Sequence, residues 1–344
     1  MAVAGLPKEV HRCTVCHVDS EAAPFYVQHV AGFDADIPMF NCPSCGGVYS
    51  LLPKDFPLAQ WYAESPFYGE VEYAAHHGDA ARDFRFQAFF AIMAKQTLSG
   101  SLLDVGAGEG DFLRELKSRG WQGALAGLDL HEERATRMAG EIPITHGRLE
   151  DFVREGGARY DVVTIFDTVE HFPEPADTLE ALKNVMAPDG WLFLSVPNSE
   201  RIRLSEGWEI FDYPPNHVTR WNKEVMRAFL SARGFSVVAA DTSFPWPRCF
   251  GEQLFYFLYA PAVRFAKLFL HRTAPVSTSA GAAPASAWSG PLADQGLRAK
   301  IEVALLRVFN VLSFPFLLPV SLLLPLLRPR SGTHLFVLAR RKSS

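Results

Sequence analysis

From Ser101 onward, short apolar runs alternate with amphipathic stretches, and this alternation restricts the fold more than any other feature of the chain. Ser101–Val105, Ala124–Leu130, Asp161–Phe166, Trp191–Val196 and Phe235–Ala240 read as strands. Asp111–Arg119, Ala176–Met186 and Lys223–Arg233 read as helices, the last ended by Gly234. Repeated β–α–β units with short loops need crossover connections, which lay the strands parallel in one sheet with helices on its faces. A doubly wound α/β domain is the expectation.

The first of these strands runs into Leu102-Leu-Asp-Val-Gly-Ala-Gly-Glu-Gly-Asp111. Gly106, Gly108 and Gly110 permit a tight turn and a close approach of backbone to a ligand. The spacing is Gly-x-Gly-x-Gly, so the dinucleotide fingerprint Gly-x-Gly-x-x-Gly is not met. Glu109 and Asp111 would also repel a pyrophosphate at the helix start, whereas a zwitterionic or cationic ligand meets no such repulsion. The bare alternative is an ordinary strand–turn–helix junction.

Four further pieces follow in order: Gly127-Leu-Asp-Leu-His131, Gly147-Arg-Leu-Glu-Asp151, Tyr160 through His171, and Ala187 through Asn198. Together with the glycine turn they resemble the class I S-adenosylmethionine-dependent methyltransferases over residues 80–242 and again over 333–341. The resemblance implies a seven-stranded Rossmann-like sheet whose last strand, Thr333–Arg341, runs antiparallel between the fifth and sixth. It implies that Asp104 and the glycines hold the methionine portion of S-adenosyl-L-methionine and that Asp129 accepts the ribose hydroxyls. The adenine contacts are left among Leu149, Glu150 and Asp151, because Arg148 stands where the family often has Asp. Asp167 and Phe166 are expected to pack against the cofactor. For a hydroxyl acceptor a base is needed, and His217 is read as acceptor-facing, with His171 the other candidate. The plain alternative is that each histidine only hydrogen-bonds loop backbone.

Cysteine placement adds a second site. Cys13-x-x-Cys16 and Cys42-x-x-Cys45 form two knuckles, and Cys249 stands apart. Thiolate softness and four-coordinate geometry point to structural zinc in a closed site that folds a segment too small for a core of its own. His11 and His17 flank the first knuckle as surplus. The first ten residues lack a basic stretch followed by an apolar one, so a reducing, cytoplasmic setting is expected, where such cysteines bind metal rather than pair.

The domain reading is therefore a zinc ribbon at 10–50, a helical connector at 54–98, the cofactor-binding domain at 99–248, an insertion at 249–332 and the final strand at 333–342. In the connector, Phe84, Phe86, Phe89, Phe90 and Met93 mark one broad apolar helix face. The insertion holds an Ala/Ser/Pro/Gly linker at 273–296 between the apolar stretches Leu254–Leu270 and Val303–Leu327. Phe250–Arg330 has eight Lys or Arg against three acids, on a chain whose formal net charge is −5. Val308–Leu327 is uncharged, yet Pro315, Pro319 and Pro325 break a straight helix, and one crossing would strand the final strand on the wrong side. An apolar helical insertion touching the membrane surface through 250–330 is one expectation, and a cover for the sheet edge or a dimer face is the other.

The function read from these features is transfer of a methyl group to a small-molecule, sugar or lipid-linked acceptor, peripherally on the cytoplasmic membrane face. The ribbon-plus-methyltransferase arrangement resembles bacterial enzymes of glycans and small molecules. An RNA methyltransferase using the ribbon is an alternative, opposed by the absence of Lys or Arg and the four acids between Cys13 and Cys45. A non-catalytic binding protein is another, opposed by the intact Asp104, glycines and Asp129.

Overall fold

The computed structural model describes residues 7–64, 80–130, 142–156, 158–201, 212–243 and 332–343. Cys249, the two apolar stretches of the insertion and the linker between them lie outside the described residues.

Strands β1 (Glu9–Arg12) and β2 (Asp19–Ala22) pair around the first cysteine knuckle. Strands β3 (Tyr26–Val30), β4 (Ala35–Asn41) and β5 (Val48–Ser50) form an antiparallel sheet, with the second knuckle between β4 and β5. Helix α1 (Leu58–Glu64) follows, then α2 (Phe84–Gln96), whose N-cap Asp83 accepts a hydrogen bond from the Arg85 backbone.

The α/β part runs β6 (Leu102–Val105), α3 (Asp111–Ser118), β7 (Leu125–Asp129), β8 (Ile144–His146), α4 (Leu149–Arg154) and β9 (Tyr160–Phe166). It continues with α5 (Pro175–Asn184), β10 (Met186–Pro197), β11 (Thr219–Arg220), α6 (Lys223–Ser231), β12 (Phe235–Ser243) and β13 (His334–Arg341). Seven strands make one sheet in the order β8-β7-β6-β9-β10-β13-β12. The last, β13, is antiparallel to both β10 and β12, which meets the expectation for Thr333–Arg341. One boundary differs: α5 stops at Asn184, and Met186 already pairs with Tyr160. The chain then bulges through Pro188 and Asp189, the latter at φ +58°, before the ladder resumes at Trp191.

Packing explains the phenylalanines. Phe86, Phe89 and Phe90 of α2 are buried, and Phe89 meets Phe112 and Phe193 edge to face at 5.1 and 5.3 Å. Each such ring contributes about 2–3 kcal/mol by burial, so α2 is fastened to the sheet rather than loosely tethered.

The N-terminal sheet is not separate either. Strand β11, which comes late in the chain, pairs with β5, giving a four-stranded sheet in the order β11-β5-β4-β3. Cys13, Phe40 and Tyr49 share one buried apolar cluster with Leu103, Val163 and Leu194 of the large sheet.

Candidate functional site

At the carboxyl end of β6 the chain turns through Gly106 and Gly110 at φ +81° and +76°, in the left-handed region that favours glycine. A Cβ on Gly106 would also press on Thr168, reaching 3.0 Å from its Cγ2 and closer still to its hydroxyl. The backbone amides of Gly106 and Ala107 donate to the Leu128 carbonyl at 2.8 and 3.1 Å, tying the turn to β7. At the tip of β7, Asp129 accepts from the Gly108 amide at 2.7 Å. The glycine turn and the second acidic strand tip are therefore one unit.

Beside this unit lies a cavity of about 390 Å³. Asp104, Gly106, Gly108, Asp129, Leu149, Glu150, Asp167 and His171 all line it, so most of the residues singled out in the sequence converge. Gly110 serves as the N-cap of α3 instead. Of the adenine candidates, Leu149 and Glu150 reach the cavity, while Asp151 turns away to pair with Arg154 at 2.6 Å.

Electrostatics divide the acids. Asp104 is 2% exposed and accepts from Thr164 Oγ1 at 2.7 Å. Burial pushes its carboxyl up to about 7, and nearby Asp129 adds to the rise against the hydrogen bond from Thr164. Asp167, at φ +45°, is half-buried, and although that desolvation pushes its carboxyl up, His334 and Arg85 hold it far below the usual range. Ser195 Oγ donates to it at 2.7 Å, and His334 Nε2 lies 3.4 Å away.

Arg85 was not among the residues read from the sequence. It lines the cavity and pairs with Asp83 at 2.6 Å and Asp167 at 3.3 Å. A cation inside the aromatic face of Phe84–Phe90 was the available signal.

The two histidine rings meet edge to face at 4.8 Å. His171 lines the cavity, and His217 lies against it. His171 Nδ1 sits 2.7 Å from the Asn216 carbonyl, so that nitrogen carries the proton and Nε2 keeps a lone pair. Burial, helped by His217, pushes its pKa down to about 3. His217 Nδ1 faces Asp212 at 3.2 Å. Glu170 is buried next to both rings, and neither of its carboxylate oxygens has a hydrogen-bond partner among the described residues. Burial raises its carboxyl well above the ordinary range.

Cys13, Cys16, Cys42 and Cys45 come together with all four sulfurs within 4.8 Å of one another. The pairs Cys13–Cys45 and Cys16–Cys42 are 3.9 and 3.7 Å apart. A tetrahedral ion with metal–sulfur bonds of about 2.3 Å needs sulfur separations of roughly 3.8 Å, so the cluster is able to ligate a metal. His11 and His17 stand outside it; His11 packs on Phe40, and His17 Nε2 is 3.7 Å from Asp177. Among the described residues no helix is long and apolar enough to cross a membrane.

The strand order, the glycine turn and the acidic strand tips make a seven-stranded mixed sheet consistent with a Rossmann-like, class I methyltransferase fold, with a cysteine cluster in its N-terminal part able to ligate a metal. Residues 74–240 match a family model described as a methyltransferase domain. The chain is 37% identical over 106 residues to a ubiquinone biosynthesis O-methyltransferase of Leptothrix cholodnii, covering 28% of this chain and 44% of that protein. It is 30% identical over 145 residues to the protein of the same name from Hydrogenovibrio crunogenus, covering 40% and 56%. The chain thus spans about half the length of the curated relatives it matches. A solved S-adenosylmethionine-dependent methyltransferase from Archaeoglobus fulgidus is similar at 14% identity and a TM-score of 0.45, over 78% of this chain and 97% of that one.

Proposed function

We propose that this protein is an S-adenosylmethionine-dependent methyltransferase acting on a hydroxyl of a small-molecule acceptor. The observation that carries the reading is one cavity into which the glycine turn, Asp104, Asp129 and Arg85 all open. When bound, the cofactor supplies an electrophilic methyl group on a cationic sulfur. Asp129 would hold the ribose hydroxyls with the carboxylate positions that Gly108 leaves free. Arg85 would face the amino-acid carboxylate, and the buried Asp104 the positively charged end of the same portion. Leu149 and Glu150 would border the adenine.

His171 is the better candidate base, because it lines the cavity with Nε2 unprotonated while His217 stands behind it. On taking the acceptor's proton it would become a cation that Asp167 and the Asn216 carbonyl favour and that burial and His217 oppose. Orientation supplies most of the acceleration expected for such a displacement, ~7–11 kcal/mol. The relatives named for O-methylation in ubiquinone biosynthesis support a small, hydroxyl-bearing acceptor.

A finer reading places the acceptor on a sugar or lipid carrier at the cytoplasmic membrane face. Its support is that β12 ends and β13 begins, Ser243 beside His334, at the same carboxyl edge as the cavity. The chain therefore leaves the sheet at Ser243 and re-enters it at His334 on the cavity side, with the basic, apolar 250–330 sequence between the two points. The zinc assignment for the cysteine cluster rests on its sulfur spacing and soft donor set.

Titration calorimetry with S-adenosylmethionine tests the central reading. Wild type should bind and Asp129→Ala should lose most of the affinity; a wild type that does not bind ends it.

A further inference from the structure

The four-cysteine cluster lies far along the chain from the histidines, yet a short path of backbone bonds joins them. Strand β5, which follows the second knuckle, pairs with β11, and the Ser50 amide donates to the Val218 carbonyl at 2.8 Å. The Val218 amide in turn donates to the Glu170 carbonyl at 2.9 Å. Val218 is fully buried and sits next to His217, and Glu170 sits next to His171. One residue thus links the N-terminal sheet to both rings.

Further contacts run the same way. Tyr26 of β3 packs on Tyr213 at 4.5 Å, and Arg220 of β11 lies over that ring at 4.6 Å. Arg220 also donates to the carbonyl of Asp212, whose carboxylate faces His217. Tyr62 of α1, the helix that follows the N-terminal sheet, reaches His171 with its hydroxyl 3.3 Å from Nδ1. By contrast, the glycine turn is tied to β7 through Leu128 and Asp129.

We propose that the metal-holding N-terminal sheet is a positioning device for the acceptor-side wall of the cavity, acting on His171 and His217 through Val218 and leaving the cofactor-side turn alone. This rests on the methyltransferase reading for its meaning, not for its geometry. A bound metal would tie the β1–β2 hairpin, through Cys13 and Cys16, to the β4–β5 turn, through Cys42 and Cys45. Without it that junction rests on apolar packing alone. Losing the metal frees β5, and β5 is what holds β11 and the 212–221 segment against the Glu170 turn. Glu170 carries a buried carboxyl with no hydrogen bond among the described residues and only His217 Nε2, at 4.0 Å, as a charged neighbour on its oxygen, a costly arrangement that holds only while its surroundings are fixed. The 169–172 turn is therefore the part of the cavity that loosens first.

Amide hydrogen exchange on the full-length protein tests this, together with metal content and affinity for S-adenosylhomocysteine. In Cys45→Ser, metal should be lost and exchange in 169–172 and 212–221 should quicken by roughly tenfold or more. Exchange in 102–110 should stay as in wild type, and the affinity should change by less than about threefold. Side-chain nitrogen shifts of His171 should move from one fixed tautomer toward an average of two. Ser50→Pro removes the amide that reaches Val218 with the four thiols untouched, and should give the same exchange pattern with metal still bound. Metal loss or Ser50→Pro with unchanged exchange at 169–172 overturns the proposal. So does parallel loss of cofactor affinity and of protection in 102–110. A wild type that fails to bind S-adenosylhomocysteine would sink the methyltransferase reading while leaving the exchange result to stand on its own.

Discussion

Asp104 offers a quantitative test of how the cavity meets a cation. Its carboxyl is pushed up to about 7 because it is buried, with Asp129 close by and the hydrogen bond from Thr164 only partly compensating. At pH 6 it is therefore roughly 90% protonated before the cofactor arrives. A positive charge within a few ångströms lowers a carboxyl by about 1–3 units. Taking about two units, binding at pH 6 should expel roughly 0.8 proton, and affinity for S-adenosylmethionine should be roughly fifty-fold weaker at pH 5 than at pH 8. The free protein should behave in the opposite sense. A raised carboxyl favours the neutral form, so Asp104's own contribution to stability is greatest below about pH 4 and falls by up to roughly 4 kcal/mol as pH climbs through 7, while Asp167 and Asp212, held low, contribute in the opposite sense. Calorimetry in two buffers of different ionisation enthalpy reads the proton directly. Asp104→Asn should remove the proton release and flatten the pH dependence of binding. Affinity that stays level between pH 5 and 8 in wild type, with no proton expelled, would show that no cation meets Asp104.

Gly106→Ala should destabilise the fold by roughly 2–4 kcal/mol, from the left-handed backbone and the pressure on Thr168, read by urea denaturation. His171→Ala should lower kcat by about 10²–10⁴ with cofactor affinity retained, and an active variant would remove the base assignment. Because burial holds the His171 pKa near 3, the wild-type pH–rate profile should lack an imidazole limb in the 6–7 range. Protein lacking 250–330 should float less with anionic liposomes than the full chain; equal flotation refutes membrane contact through that segment.

Much of the site was legible in the sequence because its parts are local. A glycine turn, an acid at a strand tip and a Cys-x-x-Cys knuckle each need only a few consecutive residues, and apolar periodicity names the strands between them. Asp104, Gly106, Gly108, Asp129, Leu149, Glu150, Asp167 and His171 accordingly share a cavity. The ranking of the histidines was not legible. Both sit on loops at the same edge, and which one lines the cavity depends on how the 212–221 segment folds back under the turn after β9.

Long-range pairing supplied the rest. Arg85 becomes part of the cavity because Phe86 and Phe89 anchor its helix to the sheet, and its charge is balanced by Asp167, far along the chain. Asp167 in turn is held by His334, from a strand that follows the whole insertion. Strand β11 is only two residues long, too short for any periodicity, and exists because β5 presents an open edge to it. Sequence alone determined most strands of the large sheet, which turn would cradle a ligand and which cysteines would meet. Tertiary structure decided which side chains face one another across the cavity, because burial and charge pairing depend on neighbours that the chain brings in from far away.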